Sequence, residues 1–425
     1  MRKMLLVSAL ALLTAVAVFA QNAAPAPAMV FTGALYTGTI AQSYDSATAT
    51  MGLWDPANQT GSRFNFQGTY NGSGFGLYFR LREDDNWDQG NSNAKANSGS
   101  GTSNLSIPSA PGFRRLYGYI DAANGMVRIA GGRLAGYEWA TGDAGGFNTL
   151  GSLDGAVGMQ VQVKPMDGLN FGAFLPFTYG NSTIPDKFLT LNEAVSFLAV
   201  GAKYTVKGVG DIEGGYWGAA ALNNSTTTTS TNSTGSSNFY SYPKAWFGAE
   251  YVGMPNLTAI LESQYSLARI KDDNYSYLAE TVMYQMDQLG LALYTEQQIN
   301  SNSNLGAYLG FRPQVDYTIG MADVGMFVEF LYVTKDTYFM STSTYNGHTG
   351  YSVGPFVKLT FAKNVYIKAY GEVGGGDVAG PVPGAPFVSY PGNLSTPGYQ
   401  TAETAGFSPL AGNFWQAGLS FVVSF

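Results

Sequence analysis

The chain has 425 residues, of which 54 are Gly, 28 Tyr and 26 Phe, while only 12% are charged and none is Cys. The aromatic content excludes a disordered chain, and the many glycines with few charges argue against a soluble helical protein. A helical membrane protein needs repeated apolar runs of roughly 20 residues, and the body of this chain has none. The absence of Cys also excludes disulfide bonds.

The first 20 residues have the pattern of a secretory signal peptide. Arg2 and Lys3 precede an apolar run that begins at Met4 and ends at Ala20. A single anchor helix is the alternative, but this run is at the short limit for a membrane span. We therefore expect a signal peptide over residues 1–20, an extended leader over 21–29 and one domain over 30–425.

Alternation of apolar and polar residues predicts β-strands along the body of the chain. Between residues 74 and 83, Phe75 and Leu77 share one face with Phe79 and Leu81, and the residues between them are smaller or polar. The same alternation recurs in residues 155–164, 169–177 and 365–373. A soluble β-sandwich also alternates, but it would not need aliphatic side chains on its water-facing side. The pattern therefore favours strands that cross a membrane.

Short and long connections alternate between the predicted strands. Eight short turns lie at 71–74, 123–125, 165–168, 208–211, 253–256, 287–290, 318–321 and 363–364. Nine longer connections lie near 39–60, 84–111, 135–153, 178–194, 222–238, 268–274, 298–304, 334–348 and 375–411. Short periplasmic turns and long external loops are typical of transmembrane barrels. The prediction is an all-β fold, an antiparallel transmembrane β-barrel of 18 strands, with 16 as the alternative. Either number leaves an aqueous lumen.

The last predicted strand runs to an aromatic final residue. Trp415, Leu419, Phe421 and Phe425 alternate with small or polar residues. Here the sequence resembles the outer-membrane β-barrel proteins of double-membraned bacteria, whose last strand commonly ends in Phe. The resemblance implies an outer-membrane location and recognition of this strand by the barrel-assembly machinery through Phe425.

Arginine is concentrated in the first third of the chain. Of the nine arginines that follow the signal peptide, seven lie in this part: Arg63, Arg80, Arg82, Arg114, Arg115, Arg128 and Arg133. Strand parity predicts that Arg80, Arg82, Arg115 and Arg128 face the lumen, because a charge on the lipid face costs about 2–4 kcal/mol near the midplane. A wall network that braces the barrel, or binding of lipid phosphates, is the alternative to pore lining.

The same stretch resembles the general diffusion porins. Residues 116–121 and 125–129, followed by Gly132-Arg133, are similar to the porin strands before the third external loop, and residues 154–171 to the strands after it. In that family the third loop folds into the barrel, and its carboxylates face arginines of the wall. The resemblance implies that Arg80, Arg82 and Arg133 form the basic side of the narrowed pore. It implies that Glu138 and Asp143 form the acidic side. The loop lacks the family's Pro-Glu-Phe-Gly-Gly segment, so its inward course is left open.

Several aromatic residues in the middle of the chain are predicted to form girdles at the membrane interfaces. They are Tyr240, Tyr242, Trp246, Tyr251, Tyr275, Tyr277 and Tyr284. A lumenal aromatic track for sugars is the alternative.

These features predict a porin, a water-filled channel for passive diffusion of small hydrophilic solutes. The alternatives are a substrate-specific channel for a sugar or a carboxylate, and a structural or adhesive surface barrel. The porin resemblance implies a homotrimer in contact with outer-membrane lipids; no nucleic acid, cofactor or metal is expected. The only His, His348, lies in a predicted external loop with neither an orienting partner nor a positioned nucleophile, so no enzymatic activity is expected.

Overall fold

The computed structural model describes residues 28–44, 50–53, 63–84, 112–134, 157–177, 189–218, 243–267, 275–300, 307–335, 346–376 and 413–425. In these residues the strands are β1 (Ala28–Tyr44), β2 (Thr50–Leu53), β3 (Arg63–Asn71), β4 (Phe75–Asp84), β5 (Gly112–Ala122), β6 (Val127–Arg133), β7 (Val157–Met166), β8 (Leu169–Pro176), β9 (Ala199–Val206), β10 (Gly210–Trp217), β11 (Lys244–Tyr251), β12 (Leu257–Ser266), β13 (Tyr275–Met286), β14 (Leu289–Asn300), β15 (Ala307–Ile319), β16 (Ala322–Lys335), β17 (Asn346–Ala362), β18 (Val365–Gly376) and β19 (Phe414–Ser424). A 3-10 turn spans Ala123–Gly125, and a short helix, α1, spans Leu191–Ser196.

The strands form one closed antiparallel sheet in which each strand from β3 to β18 pairs with the next strand along the chain and β19 pairs back onto β1. β2 and β3 lie along the same edge of β1, with β2 opposite Thr39–Gln42 and β3 opposite Ala28–Tyr36. They therefore form one interrupted barrel strand, so the barrel has 18 strands. The predicted 18-stranded antiparallel barrel is confirmed.

The seam between β1 and β19 extends through the last residue. Ala34–Tyr44 of β1 lie opposite Phe414–Ser424 of β19. The Gly33 N–H donates to the Phe425 carbonyl at 2.8 Å, and the Phe425 N–H donates to the Gly33 carbonyl at 2.9 Å. Closure thus gives the first and last strands backbone partners that hydrocarbon cannot supply.

The predicted strand faces are confirmed. Phe75 and Phe171 are exposed, as apolar side chains on a lipid-facing surface are, whereas Gln162 on β7 and Lys368 and Glu372 on β18 are buried. β1 begins at Ala28, so the last two residues of the predicted leader already belong to the first strand. The predicted signal peptide lies outside the described residues.

The girdle prediction is wrong for two of its aromatic residues. Trp246 and Tyr277 are only 7% and 6% exposed and lie on the inward faces of β11 and β13. Tyr251 and Tyr284 are 41% and 38% exposed and lie on the outward faces of the same strands. Successive side chains of a strand point to opposite faces. Trp246 and Tyr251 are an odd number of positions apart, as are Tyr277 and Tyr284, so the members of each pair lie on opposite faces.

Aromatic rings on the inner wall lie over glycines of the neighbouring strand. Phe327 of β16 is directly opposite Gly354 of β17, and Phe356 of β17 is directly opposite Gly325 of β16. A Cβ atom added at either glycine would overlap the opposing ring. Absence of a side chain at these positions is therefore what allows the rings to pack against the wall.

We predict that Gly354→Val destabilises the barrel by about 1–3 kcal/mol, because the added side chain must displace the Phe327 ring. The matched control is Gly131→Val on β6, where an added Cβ has no atom within 4 Å. The measurement is equilibrium urea unfolding of the refolded protein. Equal losses of stability for the two variants would contradict the packing argument.

Candidate pore interior

Arginines of β4 and β5 lie next to each other on the inner wall. Arg80 is directly opposite Arg115, and its other neighbour across the sheet is Gln67 of β3. Outward-facing Leu77 and Leu116 are exposed on the same two strands, so Arg80 and Arg115 belong to the opposite, lumenal face. Like charges placed directly opposite destabilise a sheet. Their juxtaposition therefore indicates a hydrated or counter-charged surface.

The backbone of Arg82 lies two residues beyond Arg80 on β4. It lies opposite Asn65 of β3, and Asn65 is buried on the lumenal side. Of the predicted lumenal arginines on β4 and β5, Arg80 and Arg115 are thus brought together on adjacent strands.

Arg128 forms an ion pair with Asp121 on the inner wall. Its Nε and Nη2 donate to Asp121 Oδ1 and Oδ2 at 2.7 and 3.0 Å, and its guanidinium lies 4.1 Å from the centre of the Tyr119 ring. Tyr119 in turn lies over Gly76 and donates from its hydroxyl to Asn71 Oδ1. This geometry matches the wall-bracing alternative for Arg128, since its charge is neutralised by a bidentate pair.

Arg133 is separated from the other arginines. It lies opposite Leu116 of β5 and Val157 of β7, and Leu116 is exposed on the outward face. Register therefore groups Arg133 with outward-facing positions near the external end of β6. Glu138 and Asp143, the predicted acidic side, lie outside the described residues.

A second group of charges lies on another part of the inner wall, on β15, β16 and β18. Arg312 Nη1 is 3.1 Å from Glu329 Oε1, and the guanidinium lies 4.2 Å from the centre of the Phe327 ring. Ser352 of β17 contacts Glu329 Oε2 at 3.4 Å. Arg312 is 1% exposed and Glu329 5%. This is a buried ion pair, in which each charge depends on the other.

Further charges on β18 lie near this pair. Lys368 Nζ is 5.5 Å from the centre of the Phe356 ring, and Glu372 is also buried. The inner wall of β15–β18 thus alternates acidic, basic and aromatic side chains.

A third charged group lies on β9–β12. Lys203 Nζ is 2.7 Å from Asp211 Oδ2 and 4.0 Å from Glu213 Oε2. Glu213 reaches over Gly248 of β11, where an added Cβ would lie 3.1 Å from Glu213 Oε1. Lys244 and Glu262 are buried on the same face. Charge of both signs therefore lines this part of the wall.

The segment that carries α1 packs onto the inner wall. Leu189 and Phe197 contact an apolar cluster of lumen-facing side chains, which contains Ala130, Leu134, Phe174, Ala199, Trp217 and Trp246. Thr190 caps α1, with its hydroxyl accepting from the Glu193 N–H at 3.3 Å. Leu191 and Val195 are exposed on the helix. In the described residues, the connection between β8 and β9 therefore contributes an inward-packed element.

The sequence interpretation missed most of the paired lumenal charges. Asp121, Arg312 and Glu329 were not singled out, although strand parity places each of them on an inward face. A usable signal exists for Asp121, because it and Arg128 are placed to face each other across the short turn at 123–126.

In the described residues there is no helix both long and apolar enough to cross a membrane. The side chains of that part of the chain also form no cluster of His, Cys, Asp and Glu that could hold a metal ion.

Outer-membrane porins are among the solved structures with a similar fold. OccAB4 of Acinetobacter baumannii shares 8% identity, with 93% of this chain and 98% of that chain covered and a TM-score of 0.50. OccD3 (OpdP) of Pseudomonas aeruginosa also shares 8% identity, with 93% and 91% covered and a TM-score of 0.50. An anion-selective porin from Comamonas acidovorans shares 13% identity, with 94% and 100% covered and a TM-score of 0.45.

No protein-family model matches the chain, and no curated protein sequence matches it. The predicted resemblance to outer-membrane porins is confirmed at the level of fold.

We predict that Glu329→Leu destabilises the protein by about 3–5 kcal/mol, because it removes the carboxylate that pairs with the buried Arg312 guanidinium. Asp121→Leu is the matched control. Its ion pair with Arg128 is partly exposed, with side-chain exposures of 22% and 33%, and we expect a loss of at most about 1 kcal/mol.

The double variant Arg312→Leu/Glu329→Leu should recover most of the lost stability, since it removes both charges. Equilibrium urea unfolding measures all three variants. A Glu329→Leu effect no larger than that of Asp121→Leu would contradict the buried-pair interpretation.

Proposed function

We propose that the protein is an outer-membrane porin, a water-filled channel for passive diffusion of small hydrophilic solutes and ions. The observation that carries this proposal is the division between the two faces of a closed 18-stranded barrel. Exposed aliphatic and aromatic side chains cover the outside, and charged and amide side chains line the inside. A barrel of this size encloses an aqueous lumen, whereas an eight-stranded barrel is filled by its own side chains.

The basic surface of Arg80, Arg82 and Arg115 is proposed as one side of the selective region. Arg80 and Arg115 lie directly opposite each other on β4 and β5, and fixed charge in a narrow aqueous path selects among permeating ions. Glu138 and Asp143 are proposed as an acidic side, from the porin resemblance. Arg128 is proposed to brace the wall through Asp121, and Arg133 is assigned no lining role because its register is outward.

The inward-packed segment at α1 is proposed to narrow the lumen beside this region. Leu189 and Phe197 hold it against the wall, and the exposed Leu191 and Val195 give its free face an apolar surface. Apolar surface in a water-filled pore raises the cost of passage for hydrated ions. A moderate conductance is therefore expected for so wide a barrel.

The location and partners follow from the same resemblance. We propose export by the signal peptide, insertion by the barrel-assembly machinery through the Phe425-terminated strand, and residence in the outer membrane as a homotrimer. The fold similarity to outer-membrane porins supports the location.

Purified, refolded protein added to a planar lipid bilayer is expected to produce discrete conductance steps in potassium chloride. Folding of the same sample is checked by its heat-dependent mobility on a gel. Complete absence of steps from folded protein would reject the channel. A saturable block by one sugar or carboxylate at low concentration would favour the substrate-specific alternative.

We predict that Arg80→Ala and Arg115→Ala each shift the reversal potential in a salt gradient toward cation preference. Each removes a positive charge from the lumenal surface without a change in the barrel wall. Lys207→Ala, in the exposed turn between β9 and β10, is the control for an equal change in net charge. A shift of the same size in the control would show that Arg80 and Arg115 do not line the selective path.

A further inference from the structure

A cavity of about 570 Å³ lies at the end of the barrel that carries the short turns. Its walls come from the turn between β5 and β6, the turn between β7 and β8, and the end of β9. Short turns face the periplasm in transmembrane barrels. The volume is within the range of small-molecule sites, about 300–1,000 Å³. The polar residues that line the cavity are Asn124, Lys164, Asp167, Asn170, Lys203 and Thr205.

Backbone hydrogen bonds fix the segments that surround this cavity. The Lys164 N–H donates to the Met126 carbonyl at 2.7 Å, and the Thr205 N–H donates to the Gly168 carbonyl at 2.8 Å. These two bonds join the turn between β7 and β8 to its neighbours on both sides. Gly168, with a φ of +78°, lies so close to β9 that an added Cβ would overlap the Thr205 carbonyl oxygen. The cavity is therefore bounded by backbone that the barrel itself holds in place.

An amide side chain in the wall of the cavity has an unused acceptor atom. Asn170 Oδ1 is buried, and no donor in the described part of the chain is within hydrogen-bonding distance of it. Lys203, directly opposite on β9, is engaged elsewhere, because its Nζ lies 2.7 Å from Asp211 Oδ2. A buried polar atom without a partner costs free energy. A ligand that donates a hydrogen bond to Asn170 would remove this cost.

Charged side chains of both signs line the same cavity. Lys164 is exposed and follows the buried Gln160 and Gln162 on the inward face of β7, and Asp167 is exposed in the turn beyond it. Three residues of fully extended chain span at most about 11 Å, so the backbones of Lys164 and Asp167 are no farther apart than that. The cavity therefore offers a cation, an anion and an amide acceptor within the dimensions of a small ligand.

We propose that this cavity binds a dipeptide with free termini. Lys164 holds the terminal carboxylate, Asp167 holds the terminal ammonium, and Asn170 Oδ1 accepts a hydrogen bond from the peptide N–H. The two termini of an extended dipeptide are about 7 Å apart, which suits the spacing of the two charged residues. Met126 and Met166, 45% and 58% exposed, line the cavity and provide apolar surface for a ligand side chain. This site goes beyond passive diffusion and does not depend on conductance.

Isothermal titration calorimetry of the refolded protein in detergent, with alanyl-leucine as the probe, tests the site. We expect saturable binding of one dipeptide per chain. N-acetylation removes the ligand's ammonium and C-terminal amidation removes its carboxylate. Each should weaken binding about tenfold or more, because a hydrogen bond between charged groups is lost. Absence of saturable binding, or equal binding of the free and capped peptides, would overturn the proposal.

Variants of two lining residues test where the dipeptide binds and in which direction. Lys164→Gln should weaken binding of the free dipeptide about tenfold and leave binding of the amidated peptide nearly unchanged, because that peptide has no carboxylate to hold. Asp167→Asn should show the same pattern with the N-acetylated peptide.

The matched controls are Lys207→Gln and Asp287→Asn, which make the same charge changes at exposed turn positions outside the cavity. They should bind all the peptides as the unmodified protein does. Equal losses in the lining variants and the controls, or no loss in the lining variants, would overturn the proposal. Binding is measured without a membrane potential or conductance, so failure here is distinct from failure of the channel.

Discussion

The structure depends on backbone hydrogen bonding in a medium that offers no alternative partners. A sheet with free edges would leave rows of N–H and C=O groups in hydrocarbon, at several kcal/mol for each unsatisfied group. The pairing of β1 with β19, completed by the reciprocal bonds of Gly33 and Phe425, removes both edges. All other features of the barrel follow from this closure, because it divides every strand into residues that meet lipid and residues that meet the lumen.

The inward residues meet a second constraint, which is that charge can be kept only where it is paired or hydrated. Different parts of the inner wall meet this requirement in different ways. Arg312 and Glu329 are almost fully buried and pair with each other, Asp121 and Arg128 pair while partly exposed, and Arg80 lies beside Arg115. Like charges also lie directly opposite each other on adjacent strands, at Arg80 and Arg115 and at Lys358 and Lys368. Such positions need counter-charge or water nearby, because like charges placed directly opposite each other destabilise a sheet.

Strand parity made the architecture predictable from the sequence. It did not predict which charged side chains pair with each other. The alternation in β4, β7, β8, β18 and β19 and the alternating short and long connections were enough to predict 18 strands. Parity also predicts the inward strand face for Arg80 and Arg115, which lie directly opposite each other. Parity could not show that Arg312 contacts Glu329. This contact depends on the register between β15 and β16, and an error of one residue in that register would change which side chains face each other. The outward register of Arg133, beyond Gly132 with its φ of +129°, and the inward packing of α1 likewise depend on three-dimensional contacts that no local pattern encodes.

The seam between β1 and β19 also affects how the barrel folds. Nearly all neighbouring strands are joined by direct connections, so their pairing closes relatively short loops. The seam instead joins Ala34 to Ser424, and the entropy of bringing such distant residues together must be lost before any of its bonds form. Contacts of high sequence separation slow folding. Closure of the barrel is therefore expected to be the slow and final event, and an open sheet with two exposed edges to be the species that aggregates when it is delayed.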